Sequence, residues 1–360
     1  MVFVLLFVIP LLLLTGCSAA EDPAPPVSAV ETGTEPSDPA VGTEAEFAAA
    51  AEAEEDSMQL IPDPAFERGM NLITQKDHRA GDAFSVFAVR DFRSSGASGQ
   101  SGLSPVWRLC QWDSGPDLSG MLVPSPAEEI TDGKYRSFRY DPETNAMTFL
   151  LDTSLYYGGR TALEGDYWPH LLIEAPTFGA EDLPEEKAAY YRCDADRLLL
   201  SFDIRLTEYA AVPVAGDWVE AAQFLMYFYV KGIETDDFCW FGLQLFDSRW
   251  PRNDHYIGYD GGKADASGAM IFSIGSKYIY DGAALWKDGA PSPDGVWRHV
   301  EIDLVPYLKH MLKRGAADGY FRAEDLGGLR VNGMNVGWET IGTFRHAMEM
   351  KDLKLTPERR

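Results

Sequence analysis

Basic residues are scarce in this sequence. Its 360 residues include 31 Lys and Arg against 56 Asp and Glu, which gives a formal net charge of -25 at neutral pH. A chain with this excess of negative charge is repelled by phosphate backbones. The composition therefore excludes nucleic acid from the expected partners.

Local motifs of several enzyme classes are absent as well. The six histidines are scattered, with no H-E-x-x-H, so a zinc peptidase centre is not expected. Neither a G-x-S-x-G elbow nor a G-x-G-x-x-G fingerprint occurs, and "GYDGGKAD" lacks the leading Gly and trailing Ser or Thr of a phosphate-binding loop. The sequence stays compatible with enzymes whose catalytic residues form no local sequence motif, such as carboxylate glycosidases and lyases.

Apolar and turn-forming residues, by contrast, are plentiful. The chain is 46% hydrophobic and 12% aromatic, which is enough for a large core. It also has 33 Gly and 22 Pro, spread between aromatic runs along the chain. This composition favours a turn-rich β protein.

The first residues have the pattern of an export signal. Residues 2–14 form an apolar run that is shorter than the roughly 20 residues of a membrane-spanning helix and suits a signal peptide. The run ends in "LTGCS", which closely resembles the lipobox of bacterial lipoproteins, in which the cysteine is acylated and becomes the new N-terminus. The resemblance implies a signal peptide over residues 1–17, a lipid on Cys17, and an extracytoplasmic, membrane-anchored lipoprotein of a bacterium.

The other cysteines are odd in number. Cys110, Cys193 and Cys239 allow at most one disulfide, with one thiol left over, and their spacing fits no metal motif. We favour the interpretation that they are small buried apolar residues.

A low-complexity segment separates the export signal from the folded body. Residues 18–57 are rich in Ala, Glu, Pro, Thr and Ser and have almost no large apolar side chains. Such a segment cannot bury enough surface to offset its ordering entropy, so we expect a disordered acidic tether. The folded body is predicted to span residues 58–360, and a subdivision near residue 140 stays open.

Period-two alternation dominates the body. In "RLLLSFDIRL" the residues Leu198, Leu200, Phe202, Ile204 and Leu206 share one face, and "QFLMYFYV" and "WRHVEIDL" alternate in the same way. Helical signal is confined to "PYLKHMLKRG", which should stop at Gly315, and to a short turn near Pro184. We therefore predict an all-β fold, an antiparallel β-sandwich of jelly-roll type with one or two short helices.

The segment "FCWFGLQLFDSRW", residues 238–250, is apolar on both faces of a strand. One face suits the core, and the other carries a tryptophan and a glutamine. If neighbouring strands pair, the second faces combine aromatic rings with polar groups, as sugar-binding surfaces do. The residues predicted to bind a ligand are Arg205, Tyr227, Tyr229, Trp240, Gln244, Asp247, Arg249 and Trp250.

The closing region "VWRHVEIDLVPYLKH…DLKL" resembles the last strands of jelly-roll carbohydrate-binding modules of secreted bacterial polysaccharide-processing proteins. "WFGLQLFDSR" and "YDGGKADASGAMIFS" look similar to concanavalin-like and galactose-binding-like sandwiches. The resemblance implies a glycan as partner and no catalytic cofactor. Such folds often hold a structural calcium, for which Asp260, Asp265 or Asp352 could supply oxygen ligands, although ordinary turn aspartates are the favoured interpretation.

Two other functions stay open beside carbohydrate binding. A jelly-roll glycoside hydrolase or polysaccharide lyase would need carboxylates that converge in the groove, and the candidates are Glu174, Glu301, Asp303 and Glu339. Glu301 and Asp303 lie on one face of a strand, but Pro306 stands where a glucanase-like E-x-D-x-x-E motif has its third carboxylate. The third possibility is a structural or adhesion protein of the cell surface. We favour a binding protein over an enzyme.

Overall fold

The structure is a computed structural model. It describes residues 58–74, 84–93, 103–112, 118–120, 122–163, 165–211, 220–249, 256–260, 268–274, 286 and 290–359. The predicted signal peptide, Cys17 and the predicted tether lie outside these residues, as do Trp250 and Asp265.

In the residues that the structure describes, two β-sheets form the body. The larger, sheet A, has nine strands in the spatial order β11 (Tyr256–Tyr259), β12 (Met270–Ile274), β10 (Phe238–Asp247), β9 (Ala221–Gly232), β14 (Leu329–Ile341), β7 (His170–Ala175), β3 (Trp107–Cys110), β1 (Met70–Ile73) and β2 (Val86–Arg90). Sheet B has six strands in the order β13 (Arg298–Asp303), β8 (Arg197–Ala211), β15 (Phe344–Glu358), β6 (Ala146–Asp152), β5 (Arg136–Asp141) and β4 (Glu129–Thr131). Strand pairing is antiparallel except for β1 with β3 and β10 with β12, which run parallel.

The core lies between the sheets and takes one side of each strand. On β8 the five predicted residues from Leu198 to Leu206 are all buried, and Phe224, Met226 and Phe228 of β9 contribute to the same cluster. One continuous cluster extends from Leu60 to Leu355 in sequence and includes residues on both sides of position 140. The predicted jelly-roll sandwich is therefore confirmed.

Within the described ranges, three α-helices accompany the sheets: α1 (Thr153–Tyr156), α2 (Glu185–Ala188) and α3 (Val305–Ala317). Pro184 precedes α2, and Pro306 lies in the first turn of α3, as predicted. The predicted end of α3 at Gly315 is wrong. A Cβ at Gly315 would overlap the Phe321 ring, so this glycine permits close packing, and the left-handed residue after the helix is Gly319. None of the helices in the described ranges has the length and apolarity needed to cross a bilayer.

A β-bulge gives β15 two halves. Met348 and Met350 are buried in the first half, and Leu353 and Leu355 in the second, so the apolar positions change from even to odd. The pairing with β8 shifts between Lys351 and Lys354, and Asp352 has a φ of 54°. The extra residue at the bulge shifts the alternation by one position, so the apolar side chains of both halves point into the core.

The three cysteines of the body are buried free thiols. This confirms the favoured interpretation over a disulfide.

Candidate functional site

The outer face of sheet A is the side turned away from the core. On β9 and β10 it carries Tyr227, Tyr229, Trp240 and Gln244, because the residues that alternate with them belong to the core cluster. In the strand register Trp240 lies opposite Tyr229, and Gln244 lies opposite Leu225. The structure thus brings together four of the predicted ligand-binding residues.

An aromatic cluster occupies one end of this face. The Trp240 ring makes perpendicular contacts with Tyr229, at a centroid distance of 4.9 Å, and with Phe238, at 5.0 Å. Tyr229 is 6% exposed, whereas Trp240 and Phe238 keep part of their surface accessible. Edge-to-face contacts on two neighbours fix the indole orientation, so Trp240 is a rigid and accessible ring.

Tyr227 lies next to this cluster, over a strand position that has no side chain. A Cβ at Gly242 would come within 2.7 Å of the Tyr227 ring atom Cδ1 and would overlap the Met226 carbonyl oxygen. The Tyr227 hydroxyl is 2.6 Å from Ser273 Oγ on β12. Gly242 thus allows the ring to lie across β10 and reach the next strand.

Glu174 on β7 is the centre of a buried polar cluster in the middle of the face. Its carboxylate accepts hydrogen bonds from Tyr229 Oη, from Arg108 Nε at 2.5 Å and from Cys110 Sγ at 3.2 Å. Burial, reinforced by the neighbouring carboxylate, holds the pKa of Tyr229 and the pKa of Cys110 well above their usual ranges. Both groups therefore stay protonated, and Cys110 is not a thiolate nucleophile.

Arg108 also carries a second group of rings on the far side of Glu174. Its guanidinium carbon is 4.5 Å from the Phe84 ring centroid and 5.6 Å from that of Trp112. Phe84 is 45% exposed. Aromatic side chains thus lie on both flanks of the buried Glu174 cluster.

Amides and charges occupy the other end of β9 and β10. Asp247 Oδ2 accepts hydrogen bonds from Gln244 Nε2 at 2.6 Å, from Gln223 Nε2 at 2.9 Å and from Arg249 at 2.7 Å. The predicted residues Gln244, Asp247 and Arg249 are therefore neighbours, and Asp247 acts as a common acceptor that orients them.

Glu339 on β14 lies at the same level of the sheet as Gln223, its partner in the strand register. On its other side it faces His170, whose Nε2 is 4.0 Å from a Glu339 oxygen. Glu174 pairs with Asn335, four residues before Glu339 on β14. That offset separates the Cα levels of the two glutamates by about 13 Å along the strands. The side chain of Glu174 is 6% exposed and that of Glu339 is 27% exposed, so only the second is accessible.

Arg205 does not belong to this surface, which corrects the sequence-based prediction. It lies on β8 in sheet B, where it pairs with Glu349 and its guanidinium carbon lies 4.4 Å from the Trp297 ring centroid. The prediction assumed that β8 pairs with β9, its neighbour in sequence. In the structure β8 lies between β13 and β15.

Glu301 and Asp303 also lie in sheet B, on β13. Glu301 is exposed, and Asp303 accepts hydrogen bonds from the backbone N–H groups of Leu198 and Val305. Asp303 thus anchors the start of α3 to β8. Neither residue faces the surface that carries Trp240.

Asp260 and Asp352, the two described aspartates considered for calcium, are not brought together either. Asp260 follows β11 in sheet A, and Asp352 lies in β15 of sheet B. In the described ranges, no group of three or more His, Cys, Asp or Glu side chains is arranged to hold a metal ion.

Sequence reasoning missed Arg108, Cys110, His170 and Gln223. Arg108 and Cys110 alternate with the buried residues Trp107 and Leu109. The two-residue period of a strand is therefore present in "WRLC", but only over four residues. Only the register of β3 with β7, in which Arg108 lies opposite Glu174, connects them to the site.

The sequence matches no protein-family model, and no curated protein matches it. Solved structures with a similar fold include an endoglucanase from Rhodothermus marinus, which is 11% identical with a TM-score of 0.32 over 62% of this chain and 87% of that chain. A family 12 xyloglucanase from Bacillus licheniformis is 9% identical, with a TM-score of 0.36 over 63% and 87% of the two chains. A family 11 xylanase from Neocallimastix patriciarum is also 9% identical, with a TM-score of 0.33 over 61% and 85%. At these identities the similarity concerns the fold alone.

Proposed function

We propose that this protein is a surface lipoprotein that binds a carbohydrate on the outer face of sheet A. The observation that carries the proposal is Trp240, a rigid and partly exposed ring next to Tyr227, on a face whose other end carries fixed amide groups. Sugars present apolar C–H faces to aromatic rings and hydroxyl groups to planar polar side chains. Both kinds of partner occur on this one surface.

The charges of the face favour a neutral sugar. Its two most buried carboxylates, Glu174 and Asp247, each pair with an arginine of the same surface. The arginines are therefore already neutralised, and a uronic acid would have to compete with the protein's own carboxylates for them.

Binding is a better account of this surface than hydrolysis. Both oxygens of Glu174 are engaged by Tyr229, Arg108 and Cys110, which leaves no accessible oxygen to act on a glycosidic bond. Glycosidases place two carboxyl groups at most about 9.5 Å apart on either side of that bond. Of the four candidate carboxylates, Glu174 and Glu339 lie on this face, and Glu339 is the accessible one. A single accessible carboxylate cannot supply the two catalytic carboxyl groups of a glycosidase.

A glycan array with the full-length chain tests the proposal. We expect binding to neutral polysaccharides, and Trp240→Ala should weaken it about tenfold or more, which corresponds to about 1.4 kcal/mol. The matched control is Trp297→Ala, which removes a tryptophan that packs under Arg205 and Lys351 in sheet B. Equal losses in the two variants, or binding unchanged in Trp240→Ala, would contradict the proposal. Incubation of each bound glycan with the protein, followed by chromatography, would detect cleavage and revive the enzymatic alternative.

The lipid anchor has its own test. Cys17→Ser should abolish incorporation of labelled palmitate and shift the protein from the membrane fraction to the soluble fraction. Palmitate incorporation that persists in the variant would refute the lipid anchor at Cys17, and the proposed carbohydrate site would be unaffected.

A further inference from the structure

A cavity with aromatic walls lies beside α1, outside the site described above. Its volume is about 390 Å³, within the range of small-ligand pockets. Its lining includes Tyr135, Tyr156, Tyr157, Tyr167, Arg160 and Asp166. Tyr135 precedes β5 in sheet B, and the others come from α1 and the segment between α1 and β7.

The tyrosine rings of this cavity hold one another in place. Tyr156 is perpendicular to Tyr135, at a centroid distance of 5.5 Å, and nearly perpendicular to Tyr157, at 5.0 Å. The Tyr157 hydroxyl donates a hydrogen bond of 2.6 Å to the carbonyl of Tyr167. The cavity is thus walled by oriented rings, of which Tyr156 and Tyr167 remain partly exposed.

The charged side chains of the cavity lining are Lys134, Arg160 and Asp166, of which Arg160 and Asp166 pair with each other. Arg160 makes two hydrogen bonds to Asp166, at 2.6 Å and 3.0 Å, and its guanidinium carbon lies 5.6 Å from the Tyr157 ring centroid. This pair of hydrogen bonds fixes both side chains, and their remaining polar atoms stay available at the rim of the cavity. Aromatic rings together with hydrogen-bonding groups at the rim suit a sugar.

Tyr157 connects this cavity to the outer face of sheet A. Besides lining the cavity, it packs with Ala162 against Ala221 of β9 and Ile341 of β14. Ala221 and Ile341 lie opposite each other, two residues beyond Gln223 and Glu339 on the same face. From Tyr229 to Ala221 the regular β9 strand covers eight residues, or about 26 Å.

We propose that the tyrosine cavity is a second sugar-binding subsite, and that the ligand of this protein is an extended polysaccharide chain and not a mono- or disaccharide. The proposal rests on the proposed function, since it extends the same surface from Trp240 past Gln223 to Tyr157. Two aromatic subsites separated by several sugar rings engage one long chain at the same time, so each added contact raises the affinity only for oligomers long enough to span them.

Isothermal titration of the full-length chain with cello-oligosaccharides and xylo-oligosaccharides, from dimer to octamer, tests this inference. We expect the affinity of the wild type to rise about tenfold or more between the shortest and the longest oligomers of the responding series. In Tyr156→Ala this gain should fall to about threefold or less. Tyr156→Phe retains the ring and should retain the gain. The matched control is Tyr190→Ala, an exposed tyrosine that follows α2.

The outcomes separate the two proposals. A length dependence that is the same in Tyr156→Ala and in the wild type would overturn the second subsite alone, provided that Trp240→Ala still weakens binding. Affinity that does not rise with length in the wild type would also overturn it. No binding to any oligomer would overturn both proposals. Unfolding curves of each variant check that Tyr156→Ala retains the fold.

Discussion

The outer faces of the two sheets differ in how they deal with charge. On sheet B, Arg205 pairs with Glu349, and Asp203 accepts from His299 and lies 3.5 Å from Lys351, with most of these side chains in contact with solvent. On sheet A, the Glu174 carboxylate is surrounded by Arg108, Tyr229 and Cys110 and is almost wholly buried. The first face is an ordinary solvated surface. The second has the Glu174 charge fixed below a partly exposed layer of rings, which is compatible with the proposed carbohydrate site.

The largest expected effect is on stability and compares one glutamate from each face. Glu174→Ala removes the shared acceptor of three buried groups and should lower the free energy of unfolding by about 3–5 kcal/mol. Glu349→Ala removes the partner of a half-exposed arginine and should cost about 1 kcal/mol or less. Urea unfolding of the two variants measures the difference. Similar losses would contradict the claim that the buried Glu174 cluster contributes more to the free energy of unfolding than the solvated pair of Glu349.

A smaller effect concerns pH and compares two histidines. His346 is fully buried, with its ring 3.8 Å from the Trp338 centroid, and burial lowers its pKa from 6.5 to about 3. Between these values the unfolded chain binds a proton that the folded chain does not. The contribution of His346 is therefore fully present above about pH 6.5 and is lost as pH falls, by up to about 1.4 kcal/mol per pH unit.

The variant His346→Gln should reduce this dependence. The slope of unfolding free energy against pH, measured by urea titrations between pH 4 and 6.5, should be less steep than in the wild type. The matched control is His299→Gln, which removes an exposed histidine from the outer face of sheet B. An unchanged slope in His346→Gln would show that this histidine is protonated in the folded protein.

The core faces of the long strands were predictable from the sequence. In β8, β9 and β10 apolar residues recur at every second position, and the pairing of Tyr229 with Trp240 follows from the adjacency of β9 and β10 in sequence. Membership of the two sheets was not predictable in this way. β8 finds its partners about 100 and 150 residues further along the chain, in β13 and β15, so no local pattern places Arg205.

The centre of the candidate site depends on similar long-range pairing. Arg108 and Glu174 are 66 residues apart, and each lies in a strand of only four to six residues. Alternation can show that each points away from the core, but not that they lie opposite each other. The residue types themselves carried a usable signal, since the outer positions of β8 include charged residues such as Asp203, whereas those of β9 and β10 include Tyr229 and Trp240.

The bulge at Asp352 has a consequence for how relatives of this chain can be recognised. A protein with the same sandwich but a regular last strand would carry one residue fewer at this point. Its apolar positions would then match those of β15 on one side of the bulge only, unless the alignment opens a single gap beside Asp352. Comparisons that penalise gaps inside strands would score half of the longest pairing in sheet B as a mismatch. A search for such relatives should therefore treat residues 344–351 and 353–358 as two separate blocks.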